Sequence, residues 1–515
     1  MPVEVHRRLL KRPASAPPTK SAARQQQAKR GKVLADSTLR VYLKEILKKL
    51  TTTQRKRLTT NLQQDFSMSS ACTGSGMAEM VFATLCNIIG TPCICNFSCE
   101  KVQFKRDFVT KVVGPWMSNH GDCCMFCDMT SLPERVAPCK THGKDCKVPE
   151  RMACFTCGFS CKDLSKLSTA QKEHILRKAI GSSGKTLAAL LNFARVCKPK
   201  TMILENVDAL EEKPGGVEND NLEFLYQAMH LLSYSVSQRT LISSKFALPQ
   251  QRKRVFFLCV HHESFGLTAA SGQALVDRIL DNTSNFEVPC GTMLDSDLIL
   301  EGDDQLVQAE LERRQEQLAP ASKGPKDLEL LWPREHAAFF QTKGLSWKDM
   351  EASEELVANP WYQCLPRRYK EVLDYQLWRM ANPPAADSDN AGAEATVTSL
   401  DLSQSINRTT RGYDGIFQTI TPKAMMWLPT PASGPARCLL GFEAMTLQGF
   451  PAGVLREAPA QEFSDSQLAD LAGNAFSGTV FGCILISLLA ELPSAVHTKY
   501  DDKFDNLEAV FALMS

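Results

Sequence analysis

The 515-residue sequence has no uninterrupted apolar run of about 18 residues, which argues against a membrane-spanning helix. Its N-terminus has no apolar core of the kind a secretory signal carries. No internal repeat is visible, so stacked-repeat architectures are set aside. Net charge is also scarce, with 59 Lys and Arg against 57 Asp and Glu. Two nucleotide-binding fingerprints are incomplete. "ACTGSGMAE" has Gly74 and Gly76 but lacks the third glycine of the dinucleotide motif, and "GSSGKT" has Ala179 where a phosphate-binding loop needs glycine. Because "GSSGKT" follows a helix-like stretch rather than a strand, it reads as an ordinary helix start.

The sequence does have cysteine, 19 residues in all. Without a secretory signal, these point to a reducing compartment in which thiols serve catalysis, metal binding or packing. The near-zero net charge hides an asymmetry. Residues 1–60 carry 16 Lys/Arg against three Asp/Glu, leaving 43 against 54 in the rest. Runs such as "HRRLLKRP", "AKRGK" and "TQRKR" suit a polyanion and share their composition with nuclear import signals. A nuclear setting is expected, with a basic arm on a polyanion whose affinity weakens as salt rises; a solubilising tail is the alternative.

Residues 1–36 read as a disordered basic tail and 37–64 as a basic helix with apolar residues at helical spacing. From 65 to 262, strand-like and helix-like segments alternate, which argues for a doubly wound α/β sheet with its ligand site at the carboxyl ends of the strands. That rhythm is lost over 263–403, which holds four of the six tryptophans and reads as an insertion. It returns over 404–493, and a tail of 494–515 follows. Gly74 and Gly76 come after a strand candidate and open a helix, where bare backbone can approach a ligand. Glu100 and Asp128 end the next two strand candidates, and an acid there holds ribose hydroxyls in nucleotide-binding sheets. Together these residues suggest an adenosine-containing cofactor.

Further on come "CFTCGFSCKDLS", "ILENVDAL", "FALPQQRKRVFFL", "MTLQGFP" and "LAGNAFSGTV". In order and type they resemble the motifs of the C5-cytosine methyltransferase family, over about Phe66–Val260 and Thr419–Leu489. The resemblance implies a Rossmann-like, doubly wound mixed sheet of a class I methyltransferase with an inserted target-recognition domain. It also implies methyl transfer from S-adenosylmethionine to C5 of cytosine in DNA. Cytosine C5 is a poor nucleophile, so a thiolate must first add at C6, and the base must leave the helix stack to be reached. By resemblance Cys161 is that thiol, Glu205 protonates N3, and Arg254, with Arg252 beside it, holds the cytosine O2 and the backbone around it. Asn206 and Gln250 fall with the substrate-binding residues, Asn206 orienting the acid and the loop. The cofactor would lie against Gly74, Gly76, Glu100, Asp128 and Asn474. The family also has a tRNA-methylating branch, and a catalytically silent nucleic-acid-binding relative is a third reading.

Three positions depart from the family pattern. Ser160 replaces the proline before the nucleophile, Lys162 replaces a glutamine after it, and Cys72 replaces an aromatic residue before the first glycine. Twelve cysteines fall between Cys86 and Cys161. Cys124, Cys127, Cys139, His142 and Cys146 have zinc-like spacings. This set straddles Asp128, however, so most of these thiols are expected to be small buried hydrophobes and no metal is assigned. Cys154 and Cys157 are expected to wall the site.

Overall fold

A computed structural model of the chain describes residues 33–34, 37–64, 66–164, 175–211, 220–290, 299–318, 331–346, 350–382, 396–408, 410–431 and 434–493. Most of the basic tail, the linker 383–395 and the C-terminal tail 494–515 lie outside the described residues.

Nine strands form one sheet: β1 Ser67–Ala71, β2 Ile94–Cys99, β3 Cys124–Phe126, β4 Val136–Cys139, β5 Lys144–Lys147, β6 Cys154–Gly158, β7 Thr201–Val207, β8 Tyr234–Ile242 and β9 Lys253–His261. Their order is β5-β4-β3-β2-β1-β6-β7-β9-β8. The central strands β3, β2, β1, β6 and β7 run parallel, while β9, β8 and the edge hairpin β4–β5 are antiparallel. This is the mixed, doubly wound sheet expected from the sequence.

Alternation along the strands sends neighbouring residues into two separate cores. Ile203, Phe256, Leu258 and Val260 join one core with Met80, Val81 and Leu85 of α3 (Met77–Ile89). Met202, Leu204, Phe257 and Cys259 join the other with Leu187, Leu190, Leu191 and Phe193 of α4 (Gly181–Cys197). Cys154 and Cys157 are completely buried, one in each core.

The single basic helix expected over 37–64 is two helices, α1 Thr38–Lys49 and α2 Thr52–Gln63. Leu50 turns extended and Thr51 starts α2 with a capping box closed by Gln54, a local signal stronger than the apolar periodicity running through it. Nor is this pair a free arm. Leu39, Tyr42, Leu43 and Ile46 of α1 are fully buried, each contributing roughly 1.5–3 kcal/mol where the side chain is large. Asn61 of α2 donates to the Leu489 carbonyl at 2.9 Å. That carbonyl lies in the C-terminal helix α7 (Gly478–Glu491), which is buried on nearly every side. No single helix among the described residues is long and apolar enough to cross a membrane.

The insertion differs from its expected bounds of 263 and 403 at both ends. Helix α5 (Ala269–Asn282) covers β8, where Gln273 Nε2 donates to the Val236 carbonyl at 2.8 Å, so it packs with the nine-stranded sheet. At the far end, a four-stranded antiparallel sheet crosses residue 403. It comprises β10 Val397–Asp401, β11 Arg411–Tyr413, β12 Met426–Leu428 and β13 Arg437–Cys438, in the order β11-β10-β12-β13. These strands are two to five residues long, too short for alternation to show in the sequence. The fully buried Arg437–Glu443 ion pair (2.7 Å) ties β13 to the segment leading into "LQGFP".

Candidate active site

The parallel strands end at one edge, and the motif residues collect there. Gly74 follows β1 in the left-handed region, at φ 59°. A side chain at Gly74 would have its Cβ 3.3 Å from the Asn474 carbonyl oxygen, so the tight approach requires glycine. The Gly74 N–H donates to Glu100 Oε2 at 3.0 Å, and the other Glu100 oxygen accepts from Val102 N–H at 2.9 Å. Gly76, also left-handed, is the N-cap of α3. Asp128 follows β3 and accepts from the Thr130 N–H (3.0 Å) and hydroxyl (2.9 Å). Partial burial pushes the Asp128 carboxyl up, but these two bonds and Lys101 outweigh it and leave it below the usual carboxylate range. Asn474 closes helix α6 (Asp465–Asn474) and stays exposed. Ser75 Oγ is fully buried with no hydrogen-bond partner among the described residues. Bare backbone, an orphan hydroxyl and two carboxylates at successive strand ends fit an adenosine-type cofactor.

Beside this cradle stands the thiol. Cys161 lies three residues beyond β6 and is half-buried. Burial and then the Glu205 carboxylate push its pKa above the ordinary thiol value, opposed by Arg254 and Arg252. Glu205 pairs in register with Gly158 across β6 and β7, and a Cβ at Gly158 would sit 2.9 Å from the Phe476 ring and 3.5 Å from Glu205 Oε2. Only glycine leaves that space, which is how the acid and the thiol loop come to share one corner. Arg254, at the start of β9, pairs with Glu205 at 3.1 Å.

Arg252 has a different role from the base contact expected of it. It is buried, and its guanidinium donates to the carbonyls of Ile420 (3.1 Å), Gly473 (3.3 Å) and Ala475 (2.7 Å). Burial first, then Arg254, lowers its pKa to about 9, against Glu205 and Cys161. Both terminal nitrogens of the fork are engaged by backbone carbonyls, and its buried Nε has no hydrogen-bond partner among the described residues. Instead, Arg252 fixes the backbone on both sides of Asn474, whose carbonyl closes on Gly74. Gln250 is likewise turned inward. It is fully buried, and its flanking backbone is held by Phe417 through Gln251 N–H (2.7 Å) and the Pro249 carbonyl (2.8 Å).

Asn206 ties β7 to the thiol loop. It is buried, its Nδ2 donates to the Phe159 carbonyl at 3.0 Å, and its Oδ1 accepts from Val207 N–H. Asn206→Ala is expected to lower the single-turnover rate roughly 10–100-fold with KM little changed, because a small displacement of a nucleophile costs about that much. A KM rise of the same size would instead assign Asn206 to substrate.

One group escaped the sequence reading. The start of α4, dismissed as an ordinary helix start, grips the thiol loop. Ser160 N–H donates to Thr186 Oγ1 at 3.1 Å, Asp163 N–H to Ser183 Oγ at 3.1 Å, and Ser183 N–H returns to Asp163 Oδ2 at 2.8 Å. A proline at 160 could not make the first bond, so serine replaces a fixed φ with a hydrogen bond to α4. The only hint in the sequence was a hydroxyl-rich helix start, and helix starts commonly carry hydroxyls.

The cysteines divide. Cys86, Cys93, Cys95, Cys99 and Cys139 are buried as expected, whereas Cys123, Cys124, Cys127 and Cys146 are not.

The model of the C-5 cytosine-specific DNA methylase family matches residues 138–487. The chain is 25% identical over 406 residues to DNA (cytosine-5-)-methyltransferase DMT5 of Cryptococcus neoformans var. grubii, covering 76% of this chain and 15% of that protein. It is 23% identical over 449 residues to the DMT5 protein of Verticillium dahliae, covering 76% and 18%. The chain thus spans less than a fifth of the length of these curated relatives. Among solved structures, the S. pombe Dnmt2 methyltransferase aligns with a TM-score of 0.39 and 11% identity, covering 82% of this chain and 98% of that one. With its family match running through the thiol, acid and arginine motifs, the chain belongs to the C-5 cytosine-specific DNA methylase family.

Proposed function

We propose that this chain methylates C5 of cytosine in DNA through a transient Cys161–C6 bond on a base rotated out of its stack. The observation that carries the reading is the gathering of Cys161, Glu205 and Arg254 at one corner, beside the Gly74–Glu100–Asn474 cradle. Bound S-adenosylmethionine would supply an electrophilic methyl group, held by Gly74, Gly76, Glu100, Asp128 and Asn474. The Cys161 thiolate adds to C6 as Glu205 delivers a proton to N3, so the ring becomes an enamine with a nucleophilic C5. Arg254, 3.1 Å from the acid, would hold the cytosine O2. After alkylation, solvent water takes the C5 proton, the C5–C6 double bond re-forms as the Cys161–C6 bond breaks, and N3 returns its proton to Glu205. Every bond made to the enzyme is thereby broken.

DNA is favoured over tRNA by the size of the inserted region and by the basic N-terminal run, which would add affinity for phosphate and also suits a nuclear setting. The fungal relatives carry DNA methyltransferase in their names. The test is transfer of labelled methyl from S-adenosylmethionine to duplex DNA and to tRNA under matched conditions. The expected result is label in DNA cytosine; label confined to tRNA would move the substrate, and label in neither would leave a silent nucleic-acid binder.

A further inference from the structure

Outside the active corner, the structure converges on one set of side chains that packing does not explain. Cys124 opens β3, Cys139 ends β4, Cys146 lies in β5, and His142 sits in the turn between β4 and β5. Their ligand atoms all lie within 4.8 Å of one another, a convergence no other such group achieves among the described residues. His142 Nδ1 stands 3.5 Å from Cys124 Sγ and 3.3 Å from the sulfurs of Cys139 and Cys146. With Zn–S about 2.3 Å and Zn–N about 2.0–2.1 Å, a tetrahedral site of three sulfurs and one nitrogen has a sulfur–nitrogen edge of about 3.6 Å. The observed edges are close to that value.

The objection from the sequence, that the set straddles Asp128, falls away. Cys124 opens the short strand β3 (Cys124–Phe126) while Asp128 lies two residues past its other end, and Cys127, which the spacing had included, is not in the group. Packing is also a poor account of the cluster, because His142 is exposed and Cys124 and Cys146 are half-buried. A disulfide could join only two of the three thiols and would leave the imidazole unused.

We propose that Cys124, Cys139, His142 and Cys146 bind one structural zinc ion. Four protein ligands leave no open coordination position, the mark of a structural rather than catalytic site. The need for a clamp is visible in the sheet. The β4–β5 hairpin joins β3 through one register pair, Phe126 with Cys139, supported by Lys140 N–H to the Met125 carbonyl at 2.8 Å. A metal shared by β3, β4, β5 and the turn between the last two would lock this weakly attached edge. The proposal does not depend on the methyltransferase reading.

Elemental analysis of the purified full chain is expected to find about one zinc per chain. His142→Ala and Cys146→Ser, both at accessible positions, are expected to lose it, while Cys127→Ser and Cys123→Ser keep it. Because loss of a clamp can unfold a variant, the wild-type protein gives a second reading. Stripped with a chelator and titrated with Co²⁺, it should develop the visible absorption of a tetrahedral thiolate site and lose it when Zn²⁺ is added. A purified chain without zinc that also fails to develop the cobalt bands would overturn the site. So would full zinc retention in both site variants, or a disulfide found between any two of the three thiols.

Discussion

Cys161→Ala is expected to cut methyl transfer by at least about 10⁴-fold, since removal of a nucleophile leaves only binding and electrostatic help. The fold and the cofactor cradle should survive. Cys161 is in a loop beyond β6, and the cradle rests on Gly74, Glu100 and the Asn474 carbonyl, none of which bonds to the thiol. The clearest check is a duplex carrying 5-fluorocytosine. Release of the sulfur requires loss of a proton from C5, and fluorine cannot leave as a cation, so the wild-type protein should be trapped as a covalent complex and the alanine variant should not. Trapping by the variant, or retained turnover, would remove Cys161 from the mechanism.

The pH profile adds a second signature. Burial and Glu205 hold the Cys161 thiol above its ordinary range of about 8.5. The reactive thiolate is therefore a minority at neutral pH, and the rate at sub-saturating substrate should climb through and beyond that range as pH rises. Arg254 opposes the upward push. Removing it should move the rise to higher pH, and a profile that stays put would show that Arg254 has no electrostatic influence on the thiol.

What the sequence could disclose divides by the range of the interactions involved. Alternating strand and helix patterns exposed the central sheet, and the glycine turn of "ACTGSGMAE" with the order of five short motifs singled out Gly74, Cys161, Glu205, Arg254 and Asn474, because strand ends and glycine turns are local features. The roles of Arg252 and Gln250 were hidden. Arg252 contacts carbonyls 168, 221 and 223 residues away, and nothing within "QQRKR" distinguishes a buried clamp from a base contact. The same limit concealed the edge cluster: zinc-like spacing was visible, but only the pairing of β3, β4 and β5 shows that Cys127 points elsewhere while the other four converge. The α1–α2 break was readable in principle from Thr51 and Gln54, and continuous helical periodicity masked it.

The difference between the two arginines should appear as opposite phenotypes. Arg252→Ala strips the charged fork from three buried carbonyls, a loss of about 3–5 kcal/mol for breaking a buried charged network. The melting temperature should fall by several degrees, and affinity for S-adenosylmethionine should weaken because the backbone around Asn474 loses its anchor to the catalytic unit. Arg252→Lys should not rescue it, since an ammonium cannot reproduce the planar fork that spans the three acceptors. Arg254→Ala, at a more open position beside Glu205, should leave the melting temperature nearly unchanged and lower kcat/KM roughly 10²–10³-fold, the scale on which a single electrostatic donor acts in a transition state. Thermal melts, cofactor titration and steady-state kinetics on the three variants decide the matter. If Arg252→Ala melts like the wild-type protein and loses rate alone, the buried fork is a base contact after all and the C-terminal segment is held by other means.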